Sequence, residues 1–270
     1  WGPRLACRTM PDWLIVVLGI GIGFATGILS GMFGIGGAVV STPAIQALGA
    51  TPFESVGSTV PAIIPGAISG TLRYLREGYV HLDSVAWVAV PGVVATVTGA
   101  RLTRVVPGDG HLLMIITALL VGYSGWQTAR GSDAKRDLDA AAARRDSWWR
   151  LAVIGLAAGL LSGLLGVGGG ILMVPLFVQW LHMPIKNAIG TSLACVGIFA
   201  IPSAVVHQLQ GDINWLYAAP LCVAVIPGAR IGAHLAITSA EHLLRRAVGA
   251  FLGVISVVYA AGNVVALVRG

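Results

Sequence analysis

Charge is what this chain has least of. Only 10% of its 270 residues are Asp, Glu, Lys or Arg, against 56% that are hydrophobic, whereas soluble globular domains are roughly 25% charged. That shortage excludes an ordinary soluble domain, and the chain reads as an integral membrane protein. Carboxylates are scarcest where they would matter. Of the 11 Asp and Glu, only Glu54 lies near a helix start in a repeated region and none falls in the middle of an apolar run. Carriers of divalent metals or sodium-coupled carriers place acidic residues there, so a cation cargo is disfavoured and no metal site or cofactor is expected. Cys7, Cys195 and Cys222 are odd in number and unrelated in spacing, which speaks against a disulfide framework or a metal knuckle. Neighbouring positions assemble no Ser-His-Asp, Cys-His or HExxH set, so an enzyme is not expected. The basic excess, 17 Lys and Arg over 11 acids, lacks the stripe with interleaved aromatics that a nucleic-acid surface needs.

Apolar runs fill the rest: 13–33, 54–72, 84–100, 111–129, 150–166, 187–206, 214–236 and 243–268. Each is long enough to cross a ~30 Å hydrocarbon core as a helix. The first run is too long for a signal peptide and lacks a small-residue cleavage site, so it is read as a membrane helix. One extended polar stretch divides the chain. It carries Arg130, Lys135, Arg136, Arg144, Arg145 and Arg150, and the positive-inside bias makes its face cytoplasmic. The organisation read from this is a first repeat over 1–129, a charged linker over 130–149 and a second repeat over 150–270.

The halves share their punctuation. Gly23, Gly27, Gly31, Gly34, Gly36, Gly37 and Pro43 recur 132 residues later as Gly155, Gly159, Gly163, Gly166, Gly168, Gly169 and Pro175. Further on the offset is 133, so that "VGST" at 56–59 faces "IGTS" at 189–192 and "GARL" at 99–102 faces "GAHL" at 232–235. The fold expected is therefore all-α: a polytopic membrane protein of two homologous halves with four to five hydrophobic segments each. Segments 38–50 and 170–182, about 13 residues apiece, decide between parallel halves and an inverted repeat. Both arrangements place 11 Lys and Arg with the linker and five opposite, so charge does not choose. The inverted, five-span course is preferred because a full-length helix follows 38–50 directly.

The first glycines of each half repeat every fourth residue, the spacing that lets membrane helices pack closely. "GIGG" at 34–37 and "GVGGG" at 166–170 break that spacing. Clustered glycines weaken a helix by about 1 kcal/mol each relative to Ala, so the helix is expected to stop there, and a helix restarting beyond would aim free N–H groups at the gap. Gly34, Gly36, Gly37, Gly166, Gly168, Gly169 and Gly170 are thus candidate anion-binding positions; a plain tight turn is the alternative. A dinucleotide loop is rejected, for it needs a strand before it and an acid after. Ser58, Thr59, Thr191 and Ser192 either bond back to their own helices or donate to a bound anion. Arg230 lies inside an apolar run, and its fork either binds an oxyanion or snorkels to an interface; Arg101 is read as snorkelling. Glu54 and His207 are the candidates for proton coupling.

With "GILSGMFGIGGAVVSTP" and "GLLSGLLGVGGGILMVP", followed by "VGST" and "IGTSL", the chain resembles the TauE/SafE family, the sulfite exporter family of membrane permeases, over nearly all of residues 13–268. The resemblance implies an anion permease of the cytoplasmic membrane that moves sulfite, sulfoacetate or related organosulfur anions outward. "VGSTVP" in the first half replaces the family's more usual "TSL". The expected partners are a small anion and the lipid bilayer, with a homodimer left open. The alternatives are a passive anion channel and a non-transporting membrane scaffold.

Overall fold

The computed structural model describes residues 11–102, 122, 148–166 and 168–269. All regular structure among them is helical. The first repeat supplies α1 (Asp12–Phe33), α2 (Ala38–Ala47), α3 (Pro52–Arg76) and α4 (Leu82–Leu102). The second supplies α5 (Trp148–Leu165), α6 (Gly170–Trp180), α7 (Ile185–Gln210), α8 (Trp215–Thr238) and α9 (Glu241–Arg269). Among the described residues, α1, α4, α7 and α8 are long and apolar enough to cross a membrane. Most of the 111–129 run and nearly all of the 130–149 linker lie outside the described residues; Trp148 and Trp149 open α5.

Local chemistry sets the helix ends. Pro52 begins α3, where its missing N–H is no loss. Thr51 and Glu54 close a capping box there: the Glu54 amide donates to Thr51 Oγ1 at 3.3 Å and the Thr51 amide to Glu54 Oε2 at 3.1 Å. At α8 the Asn214 side chain accepts from the Leu216 amide at 3.1 Å. Gly211 ends α7 in the left-handed region.

Contact register gives the helix directions. Along α1, Gly19 faces Pro220, Gly23 faces Leu221 and Ala224, Gly27 faces Val225 and Ala229, and Gly31 faces Ala229 and Ala233. The numbers rise together, so α1 and α8 run side by side in one direction. Gly155, Gly159 and Gly163 of α5 likewise rise against Val88, Gly92 and Thr96 of α4. On α3, Gly57 meets Asp212 and Gly66 meets Val225, again in rising order. Against α7 the order falls, with Ala67 beside Gly197, Gly70 beside Leu193 and Tyr74 beside Gly190. Hence α1, α3 and α8 point one way, and α4, α5 and α7 the other.

α2 and α6 have 10 and 11 residues, about 15–17 Å at 1.5 Å per residue, half a hydrocarbon core. Since α1 and α3 run the same way, the chain between them must return. Gly37 lies beside Thr26, and Ile45 joins Ile15, Ala50 and Tyr217 in one apolar cluster, so α2 descends along α1. The outer surface is apolar: Ile20, Val90, Val223 and Val257 are among the exposed residues. Ser55, Ser58, Thr96, Thr191 and Ser203 are buried. This is the distribution hydrocarbon solvent demands.

The glycine faces generate a testable contrast. A Cβ at Gly27 would stand 2.7 Å from Val225 O and one at Gly159 2.8 Å from Gly92 Cα, whereas Gly21 has nothing within 4 Å. Gly27→Val and Gly159→Val are expected to lower the unfolding temperature in detergent, a loss on the order of 1–3 kcal/mol, while Gly21→Val leaves it near the parent value.

Candidate functional site

The two glycine breaks are unwound and touch each other. Gly34, Gly36 and Gly37 have φ of 71°, 87° and 77°, and Gly166, Gly168 and Gly169 have 63°, 83° and 67°, a region that side-chain-bearing residues rarely occupy. Gly34 terminates α1 with its amide on Ser30 O at 2.8 Å, and Gly166 does the same for α5 on Ser162 O at 3.0 Å. A Cβ on Gly170 would collide with Gly34 O and come within 2.8 Å of Ile35 Cα; one on Gly168 would lie 3.5 Å from Ile35 O. Each break is also seated against α3 or α7 of the other half, Gly34 on Ile189 and Gly166 on Val56, positions one repeat apart. Both restarted helices begin here. The Val40 and Ser41 amides of α2 return to Gly37 O at 3.1 and 3.2 Å, while the amides before them have no carbonyl one turn back within the helix.

A small pocket with about 10 Å³ of free space, room for about one water molecule, opens beside the first break. Gly36, Gly37, Thr26, Ser41 and Thr59 give it polarity, and Leu221 and Val225 of α8 form an apolar wall. The three hydroxyls are buried. Each donates within its own helix: Thr26 Oγ1 to Ile22 O at 2.8 Å, Ser41 Oγ to Gly37 O at 3.2 Å and Thr59 Oγ1 to Val56 O at 2.9 Å. Thr42 Oγ1 is 3.2 Å from Thr59 Oγ1. Hydroxyl rotors bonded in this way have an alternative donor direction toward the pocket.

The residues singled out in the sequence therefore divide. Gly34, Gly36, Gly37, Gly166, Gly168, Gly169 and Gly170 gather at the junction of the breaks, and Thr59 faces the pocket. Ser192 donates to Gly34 O at 2.8 Å and clamps one break. Ser58 and Thr191 are instead engaged across the repeat boundary: Ser58 Oγ accepts the Asn214 amide at 2.9 Å and Thr191 Oγ1 accepts the His81 amide at 3.1 Å. Arg230 does not join the site. Gly228, Ala229 and Gly232 occupy the buried face of α8, which turns Arg230 outward, exposed, about two turns before the helix ends, where snorkelling brings its charge to the interface. Glu54 is held in the α3 capping box.

His207 has a partner that spacing alone did not suggest. Its Nδ1 lies 3.2 Å from Asp212 Oδ2, with both side chains buried, and its Nε2 has no hydrogen-bond partner. The turn at Gly211 folds Asp212 back onto the last turn of α7; a left-handed glycine four residues from a helix-end His was the available signal. Among the described residues no group of three or more His, Cys, Asp or Glu could hold a metal ion.

A family model described as sulfite exporter TauE/SafE matches residues 19–259. A probable membrane transporter protein of Xylella fastidiosa is 29% identical over 242 residues, covering 87% of this chain and 90% of that protein. The probable membrane transporter protein YunE of Bacillus subtilis is 26% identical, with 82% and 86% covered, and YdhB of the same organism 24%, with 83% and 92%. No solved structure matches.

The paired braces make a prediction separate from any cargo. Ser58→Ala and Thr191→Ala each strand a backbone amide, an expected cost of about 1–3 kcal/mol. Thr59→Ala, which strands no amide, is expected to cost less. Thermal unfolding in detergent compares them.

Proposed function

The chain belongs to the sulfite exporter TauE/SafE family, whose relatives are named membrane transporters, and from that premise we propose a secondary carrier that moves a small sulfur oxyanion or organosulfonate, such as sulfite or sulfoacetate, outward across the cytoplasmic membrane by alternating access. One observation carries the reading: two unwound backbones, one from each half, meet inside the helix bundle beside a small pocket lined in part by hydroxyl side chains. Irregular backbone at membrane depth is tolerated where it is buried in protein or lines a cavity, and amides at a restarted helix favour an anion.

The alternating-access part rests on direction and packing. α1, α3 and α4 run opposite to α5, α7 and α8, their counterparts by sequence offset, which supports an inverted repeat about an axis in the membrane plane. α1 with α8 and α4 with α5 each join the two halves through flat glycine faces, surfaces along which rigid elements can rock. The bundle end formed by the α3 terminus and the α5 and α7 starts carries Arg73, Arg76, Arg150 and Lys186, with Lys186 Nζ donating to Ile237 O at 2.6 Å. This basic end supports a cytoplasmic placement, with the linker on the same side.

Coupling is assigned to His207. It is buried, Asp212 orients one ring nitrogen, and the other is buried without a hydrogen-bond partner, free to take up a proton. Glu54 already serves the helix cap.

Two measurements test the reading. In detergent, the protein is scanned thermally against sulfite, sulfate, thiosulfate, sulfoacetate, taurine and chloride. A bound cargo at a hundred times its dissociation constant adds about 2.7 kcal/mol of stability, and a response to none of them points to the scaffold. In proteoliposomes, labelled cargo is expected to show counterflow, which a passive channel does not support. His207→Asn is expected to abolish uptake driven by a pH gradient while counterflow at equal pH persists; undiminished pH-driven uptake would remove His207 from the coupling role.

A further inference from the structure

The repeat offset assigns every residue of the first-half pocket a counterpart, and among the described residues those counterparts are packed in. Thr26 corresponds to Ala158, Ser41 to Met173 and Val225 to Gly92. Ala158 and Met173 are completely buried. Gly169 is pressed onto Ala158 so closely that a Cβ there would collide with Ala158 O, while the same atom on Gly37 would stand 3.2 Å from Thr26 O. The counterpart of Thr59, Ser192, is turned to Gly34 O. One exchange of bulk accounts for the difference. Gly66 of α3 faces the Val225 side chain, whereas its counterpart Phe199 drives its ring against Gly92, with no part of the ring exposed. The second half therefore fills with a thioether and a phenyl ring the volume that the first half leaves lined by hydroxyls.

We propose that the cargo site is single and belongs to the first break, between α1, α2, α3 and α8, and that the second break is its packed abutment. This rests on the transporter reading and narrows its substrate. The pocket is lined by the hydroxyl residues Thr26, Ser41 and Thr59 and has no Lys, Arg or His in its lining. Without a cationic side chain, desolvating a second negative charge is uncompensated. Hydroxyls, which both donate and accept, suit an oxyanion that still carries a proton or an organic substituent. The ligand class is a compact monoanion, hydrogen sulfite or a short sulfonate, in preference to sulfate or the sulfite dianion.

The test reads accessibility and ligand class separately. Ser41→Cys and Met173→Cys are made in a protein carrying Cys7→Ser and Cys222→Ser, with the fully buried Cys195 retained. Both are treated in proteoliposomes with a small methanethiosulfonate reagent, with and without methanesulfonate, a monoanion at any working pH, or sulfate. Residue 41 is expected to react several-fold faster than residue 173 and to be protected by methanesulfonate. Equal reactivity, or faster reaction at 173, overturns the single site. If 41 reacts selectively but sulfate alone protects it, the monoanion assignment is overturned. If neither anion protects it, the anion reading fails while the asymmetry of the halves stands. Should either variant fail to fold, Thr26→Cys and Ala158→Cys read the same difference one helix away.

Discussion

A peptide group removed from a helix at membrane depth must be buried in protein or lie against water, since each unpaired N–H or C=O in hydrocarbon costs several kcal/mol. This chain unwinds twice inside its helix bundle. Its architecture follows from burying both places at once. The unwound stretches are set against each other, with Gly170 over Gly34 and Ile35, so each supplies protein surroundings for the other. Ser192 adds a hydroxyl bond to Gly34 O. Glycine is required twice over at this junction, for the left-handed φ and because the approach leaves no room for a Cβ.

For the breaks to meet, the halves must interpenetrate. The first helix of each repeat packs on the last paired helix of the other, α1 on α8 and α5 on α4, and neither pairs mainly within its own half. Without a hydrophobic driving force between helices in lipid, such contacts depend on close van der Waals approach and on polar groups bridging helices. The glycine rows provide the first. The equivalent Ser58 to Asn214 and Thr191 to His81 bonds provide the second, each tying one half's long central helix to the other half's loop.

Duplication supplies symmetry in the backbone, and the side chains depart from it. The same backbone break is kept in both halves, but Thr26 and Ser41 became Ala158 and Met173, and a glycine facing a valine became a phenylalanine facing a glycine. The phenylalanine and glycine occupy more volume than the glycine and valine, so the second half is filled where the first is not. Polarity is not conserved.

Much of this was written in the chain itself. Scarce charge and recurring 20-residue apolar runs dictate membrane helices, because hydrocarbon admits no other spanning form for such segments. The duplicated Gly34–Gly37 and Gly166–Gly170 motifs mark helix breaks, because clustered glycines weaken helices wherever they occur. Those are local or solvent-level constraints, and a sequence states them directly. Which way a side chain points is not local. Arg230 reads as an intramembrane charge, yet Gly228 and Gly232 take the buried face and turn it outward. Ser58 and Thr191 have the chemistry of anion donors, yet amides 156 and 110 residues distant in the chain occupy them. His207 gains Asp212 only through the turn at Gly211, and the difference between the halves emerges only when Phe199 is found against Gly92. Each depends on contacts between segments that the chain separates, and only the tertiary structure brings them together.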